Sequence, residues 1–167
     1  SSKKPNDAPA AEKGALAVGA KAPSFSLADQ SGKSISSASL AGKPYVLYFY
    51  PKDNTPGCTQ EACDFRDGIG AFQKVGVPVF GVSPDSVKSH AGFAQKFSLP
   101  FSLLADVDKE LVNAYGVWAL KQNYGREYWG VVRSTFLIDR AGKVARVWSP
   151  VRVKDHAQAV REAAAAL

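Results

Sequence analysis

The chain contains no methionine, only two cysteines and two histidines, and no long uninterrupted apolar run. Each shortage removes a class of protein. A membrane-spanning helix needs about 20 consecutive apolar residues, so none is expected and the chain reads as soluble. Two cysteines cannot build a disulfide framework. With His90 and His156 far apart in sequence, a zinc site of the usual Cys/His kind is not expected either. Clustered positive charge is also scarce. The net charge is 21 − 15 = +6, yet the tightest basic pair is Lys3-Lys4 and no basic face is interleaved with aromatics. That excludes nucleic acid as the expected partner. The chain opens on Ser1-Ser2, so its native start is expected to have been removed, as a cleaved signal segment or otherwise.

What is present suits one domain of ordinary size: 167 residues, 46% apolar and 22% charged. Residues 1–17 are polar, rich in Ala and Pro and without period, and are expected to form a flexible tail. A globular domain is expected over residues 18–167. Phe25 and Leu27 alternate with small polar residues before Gln30-Ser31-Gly32-Lys33, which predicts an N-terminal β-hairpin. Residues 45–50, YVLYFY, are continuously apolar and stopped by Pro51, as a strand buried on both faces should be. An amphipathic helix is expected from Thr59 to about Lys74, weakened by Gly68 and Gly70. Further strands are predicted over 77–83, 101–106, 131–139 and the segment from Val144. Helices are predicted over 86–98 (capped by Asp85), 108–116 and the C-terminus. Strands alternating with helices, then a terminal hairpin and helix, predict an α/β thioredoxin-like fold: a central mixed sheet flanked by helices.

Both cysteines fall in one stretch, PKDNTPGCTQEAC, residues 51–63. Cys58 is expected in the first turn of the helix that follows the buried strand. Free N–H groups and the helix dipole there favour a thiolate. Thr55, three residues earlier, is placed to cap the helix or to hydrogen-bond the sulfur. Cys63 is five residues on. On an ideal helix the two Cα atoms stand about 8–9 Å apart, beyond the roughly 7 Å that a disulfide tolerates. The sulfurs can therefore join only if at least one turn unwinds. This disfavours a standing disulfide and suits a pair that reacts and then rearranges. Two inert buried thiols remain the alternative.

These residues resemble the active-site segment of the peroxiredoxins. The signature Pro, three residues, Thr, two residues, Cys is complete in Pro51, Thr55 and Cys58. A second cysteine five residues later is similar to the peroxiredoxin Q branch, also called bacterioferritin comigratory protein. The likeness continues through FGVSPDSV, PFSLLADVD, YGVW and RSTFLIDRAGKV. The resemblance implies a bacterial thiol-dependent peroxidase acting on hydrogen peroxide and organic hydroperoxides. Cys58 would attack the peroxide and become a sulfenic acid. Cys63 would resolve it as an intramolecular Cys58–Cys63 disulfide, which thioredoxin or a similar dithiol reduces. Thr55 would hold the thiolate and the peroxide oxygen, Pro51 would shield the pocket, and Arg133 would be the family's arginine beside the sulfur. No cofactor or metal is implied. A monomer is expected, in the cytoplasm, or in the periplasm if the missing start was an export signal. Two other readings compete. A protein thiol–disulfide oxidoreductase would carry Cys-x-x-Cys rather than Cys-x4-Cys. A redox sensor would oxidise without recycling.

Around this core, Phe49 and Tyr50 are read mainly as packing residues, Asp53 and Asn54 as turn formers, and Lys52 as a solvated or weakly supporting charge. Glu61 is read as a partner for a nearby base or a helix cap. Trp118, Tyr128 and Trp129 flank the polar run 121–127, as a substrate rim or a surface patch. His90 and His156 are expected on the surface.

Overall fold

The computed structural model describes residues 14–167. Of the expected tail, residues 1–13 lie outside the described residues. Gly14 to Ala17 run against the domain: the Leu16 N–H donates to Tyr115 O at 2.9 Å, and Ala15 and Leu16 pack on the core.

The elements are β1 (Ser26–Ala28), β2 (Ser34–Ser36), β3 (Tyr45–Phe49), α1 (Pro56–Asp67), α2 (Ile69–Lys74), β4 (Val79–Ser83), α3 (Val87–Phe97), β5 (Ser102–Ala105), α4 (Glu110–Ala114), β6 (Trp118–Asn123), β7 (Arg126–Val131), β8 (Ser134–Ile138), β9 (Val144–Trp148) and α5 (His156–Ala165). Five strands form the central sheet in the order β5-β4-β3-β8-β9. β3, β4 and β5 are parallel, while β8 pairs antiparallel with both β3 and β9. The fold is thus the expected mixed α/β sheet of the thioredoxin-like kind, and β1 and β2 form the expected N-terminal hairpin.

β3 is the middle strand, and its alternation builds two cores. Val46, Tyr48 and the following Tyr50 face the side covered by α1, α2, α3 and α5, where Phe65, Phe72, Phe93 and Val160 close over them. Tyr45, Leu47 and Phe49 face the other side, against Leu111, Val112, Tyr115 and Phe136, with the N-terminal hairpin packed outside. Stacked rings of Tyr48 and Phe65, 4.6 Å between centroids, seat α1 on the sheet.

The helix expected from Thr59 to Lys74 begins earlier, at Pro56, and is interrupted at Gly68. Pro56 is suited to a first helical position, where its missing N–H has no intrahelical partner to lose. α1 ends at Gly68, where a side chain would come within 2.8 Å of Arg161 on α5. The expected strand 131–139 is shorter, Ser134–Ile138, which leaves Arg133 in the connection before it. α3 is capped by Ser86, whose hydroxyl accepts from the Ser89 N–H, rather than by Asp85. The polar run 121–127 is not a loop. It is the tip of an antiparallel hairpin, β6–β7, turning at Tyr124 and Gly125, both with positive φ (53° and 75°).

Gly81 occupies the middle of β4, between Tyr48 on β3 and Leu103 on β5. A Cβ there would meet Leu103 Cδ2 and Tyr48 Cζ, each at 2.8 Å. Gly81→Ala is expected to destabilise the domain by about 1–3 kcal/mol, seen as a lower urea midpoint with an unchanged slope. An unchanged midpoint would mean that the sheet yields to the methyl group.

Candidate active site

The chain leaves the central sheet at Phe49 and re-enters regular structure at Pro56. The intervening loop is anchored by Tyr50, which is fully buried, and contains Pro51, which is half-buried. Thr55 takes extended backbone angles (φ −89°, ψ 153°) and stands as the residue before the first helical turn. Its hydroxyl donates to Lys52 O at 2.9 Å and makes no cap bond to the helix. The Thr59 N–H closes the first turn on Thr55 O at 2.8 Å. Cys58 therefore sits inside that turn, as expected from the sequence, and is 1% exposed.

Arg133 reaches Cys58 from the connection between β7 and β8. Its Nη2 donates to Cys58 Sγ at 3.3 Å, and its Nη1 donates to Glu61 Oε1 at 2.7 Å. Cys58 and Glu61 are three residues apart, so one turn of α1 presents both to a single guanidinium. The planar fork of arginine suits this double contact; an ammonium would not span it. Gly57 makes room, because a Cβ there would lie 3.0 Å from Arg133 Nη2. Desolvation works against the Arg133 charge, but Glu61 and Cys58 outweigh it and hold its pKa above the ordinary value.

Glu61 is 1% exposed. Burial pushes its carboxyl up to about 7, with Arg133 pulling the other way. Its second oxygen, Oε2, is buried with no hydrogen-bond partner among the described residues, which suits a carboxyl that holds a proton through the weakly acidic range. Lys121, which the sequence reading left unmarked inside the polar run, is a further positive group. Its Nζ donates to Val131 O at 2.9 Å, and its pKa is lowered by burial and by Arg133, with Cys58 acting the other way. Gly130 leaves space for its stem, since a Cβ there would approach Lys121 Cδ to 3.2 Å. Hairpin register placed it: Lys121 pairs with Tyr128, and only the β6–β7 fold brings that face toward Arg133.

Cys63 is half-buried on the same helix, and both cysteines are free thiols. α1 runs unbroken through both positions. The separation of about 8–9 Å between the two Cα atoms expected of a regular helix applies, so the sulfurs cannot bond in this conformation.

Two expectations are corrected here. His90 and His156 are not surface residues; they are 0% and 6% exposed. Both lie on helices whose apolar face turns them inward, where a polar partner is waiting. His156 Nε2 and Thr135 Oγ1 are 2.8 Å apart, and burial together with Arg133 holds the His156 ring down to about 4. His90 meets Asp53, which lies in the expected turn with its side chain buried. Trp129 and Tyr128 lie partly exposed on the hairpin, 41% and 44%, while Trp118 is packed against the core.

Among the described residues, Asp53, Asp85 and His90 bring three potential metal ligands within 4.8 Å of one another. Their donor atoms are already engaged within the protein. His90 Nδ1 lies 2.7 Å from Asp53 Oδ2, and Asp85 Oδ2 accepts from both the Asp53 N–H and Ser83 Oγ. The group is a hydrogen-bonded network and not an open cation site.

Glu61 and His156 impose opposite pH dependences. For Glu61, the raised folded value means that stability is fully present below the unfolded value of 4.5 and is lost as pH rises toward 7. For His156, the depressed folded value means that stability is present above 6.5 and is lost as pH falls toward 4. Between these limits the two trends offset. Glu61→Gln should leave stability rising with pH in that window, and His156→Gln should leave it falling. Urea midpoints measured from mildly acidic to neutral pH test this. Parallel curves for both variants and the wild type would refute the assignment.

Residues 18–147 match the model of the AhpC/TSA family. Peroxiredoxin Bcp of Bacillus subtilis is 49% identical over 141 residues, covering 84% of this chain and 90% of that protein. Among solved structures, Xanthomonas campestris peroxiredoxin Q superposes with a TM-score of 0.81 at 42% identity, covering 85% of this chain and 90% of the other. A Xylella fastidiosa PrxQ variant superposes with a TM-score of 0.86 at 33% identity, covering 92% and 98%. The cysteine pair, the fold and these likenesses agree: the chain belongs to the AhpC/TSA family, as a thiol peroxidase of the peroxiredoxin Q and bacterioferritin comigratory protein type.

Proposed function

We propose that Cys58 is the nucleophile of this peroxidase and Cys63 the thiol that resolves it. The observation that carries the reading is the Arg133 guanidinium 3.3 Å from a buried sulfur at a helix start. The Cys58 thiolate attacks the near oxygen of a hydroperoxide ROOH. The O–O bond breaks, and the attacked OH stays on sulfur as the sulfenic acid. The departing RO− takes up the proton that the Cys58 thiol gave up on ionising and leaves as ROH, so that Cys58 is oxidised and the peroxide reduced. Arg133 favours the thiolate and stabilises the charge that builds on the departing oxygen. Glu61 holds the guanidinium in register with the sulfur.

Resolution follows once the first turns of α1 unwind. The Cys63 sulfur displaces hydroxide from the Cys58 sulfenic acid, water forms, and a Cys58–Cys63 disulfide results. An external dithiol, thioredoxin or a relative, then reduces it by exchange. Thr55 and Pro51 line the approach to Cys58. In the peroxide complex, the Thr55 hydroxyl turns from Lys52 O toward the bound oxygen. Hydrogen peroxide and organic hydroperoxides are the substrates. Structures of the Xanthomonas campestris bacterioferritin comigratory protein address alkyl peroxide reduction in that relative, which supports the wider substrate class here. The working unit is the domain 18–167. It acts as a monomer, because both thiols of the cycle lie on one helix, and its place is the bacterial cytoplasm, where dithiol reductants are kept reduced.

Coupled consumption of hydrogen peroxide with thioredoxin tests the assignment. Cys58→Ser should abolish turnover. Cys63→Ser should reduce one equivalent of peroxide and then stop. Full turnover by Cys58→Ser would overturn the nucleophile, and continued cycling by Cys63→Ser would overturn the resolving role.

A further inference from the structure

The loop between β3 and α1 ought to be loose. It is short and polar, and it precedes a helix that must unwind in every cycle. Its middle residue is instead the most heavily bonded position in the neighbourhood. The Asp53 N–H donates to Asp85 Oδ2 at 2.8 Å. Asp53 Oδ1 accepts from the Tyr50 hydroxyl at 2.6 Å. Asp53 Oδ2 accepts from Ser89 Oγ at 2.8 Å and from His90 Nδ1 at 2.7 Å. The other ring nitrogen, His90 Nε2, donates to Leu104 O at 3.0 Å on β5. Asp85 is in turn held by Ser83 Oγ at 2.6 Å. The side chains of Asp53 and His90 are 1% and 0% exposed. Residue 53 is thus tied to β4, α3 and, through His90, to β5.

A buried charged group with all its partners in place is costly to disturb and fixes geometry more than it adds stability. This one sits five residues before Cys58, among partners separate from those of Arg133. Arg133 holds α1 from the connection before β8; the Asp53 network holds the chain feeding into α1. We propose that His90, acting through Asp53, is a positioning residue for the peroxide reaction: it locks the loop 51–55 so that α1 starts in the helical, peroxide-reactive conformation, and it confines the unwinding needed for disulfide formation to the residues after Thr55. The lock favours the first chemical step and does not assist the second. The proposal rests on Cys58 being the nucleophile.

Two variants separate the bond to Asp53 from the bond to Leu104. The amide nitrogen of Asn stands where His Nδ1 stands, so His90→Asn can keep the donation to Asp53 and loses the one to Leu104 O. The amide nitrogen of Gln stands where His Nε2 stands, so His90→Gln does the reverse. Reduced enzyme is mixed with hydrogen peroxide and quenched rapidly. Trapping with dimedone gives the rate of sulfenic acid formation, and intact mass gives the rate of disulfide formation. His90→Gln should slow sulfenic acid formation about tenfold, the equivalent of one charge-assisted hydrogen bond, while disulfide formation is unchanged or faster. His90→Asn should recover most of that loss.

Equal effects of Asn and Gln, or an equal fall in both chemical steps, would overturn the proposal, since a merely structural histidine would behave so. If a His90 variant fails to fold, Ser89→Ala and Tyr50→Phe decide. Each removes one hydroxyl donor to Asp53 without leaving a buried charge alone, and each should slow sulfenic acid formation severalfold with disulfide formation unaffected. No change in either would sink the lock. A dead Cys58→Ser enzyme beside unaltered His90 variants refutes the lock alone, whereas an active Cys58→Ser enzyme refutes the reading on which it rests.

Discussion

One guanidinium holds the chemistry together. Arg133 stands before β8, some 70 residues from α1 in sequence, yet donates to both Cys58 and Glu61 on one helical turn. Around it the site is built by exclusion: Gly57 stays small so that Nη2 can reach the sulfur, and Glu61 is buried so that it has no other cation to serve. The Coulomb attraction that keeps this cluster together is strong because water is kept out. That same exclusion raises the Glu61 carboxyl, so the arginine faces one fully acidic neighbour only toward neutral pH. Without Arg133, the buried Glu61 carboxyl would lose its hydrogen-bonded cation and Lys121 would be the remaining positive group beside Cys58.

The proposed cycle asks incompatible things of α1. Peroxide reduction by Cys58 would need an intact first turn, while a disulfide to Cys63 would need that turn opened. The structure shows the first state: helix continuous, thiols free, sulfurs unable to meet. The two ends of the helix are treated differently. Upstream, the chain is anchored by a dense buried network at Asp53. Downstream, Gly68 breaks the helix where Arg161 crosses it. In the proposed cycle, unwinding is a local event between the Asp53 network and the helix end at Gly68.

Buried polar residues divide the labour with the aromatic core. Tyr48, Phe65 and their neighbours seat α1 on the sheet by area and ring contact, which is strong but indifferent to small rotations. Hydrogen bonds through Asp53, His90, Asp85 and Thr135–His156 supply the directional restraint. The hairpin β6–β7 adds a further wall, delivering Lys121 to the neighbourhood of Arg133 while leaving Tyr128 and Trp129 partly exposed.

Period and punctuation in the sequence determined much of this. YVLYFY could only be a strand buried on both faces, and it is the middle strand. The order of strands and helices implied the mixed sheet. Thr-Pro-Gly before Cys58 marked a helix start, because proline and a small residue suit an N-terminus whose N–H groups are free. The five-residue spacing of the thiols implied, from helix geometry alone, that they cannot bond without unwinding. Tertiary structure decided what local pattern does not encode. Helix propensity marks Gly68 as a weak point but cannot say why a side chain has no room there, because the close neighbour is an arginine on α5. The turn at Tyr124-Gly125 lacks the Asn-Gly usual for such hairpins, so the sequence of β6–β7 shows only a polar run. Bonding of Glu61 to Arg133, and the inward turn of His90 and His156, depend on partners 72, 37 and 21 residues away. A polar side chain at a helical position looks solvated in sequence; only the fold shows whether a buried partner waits for it.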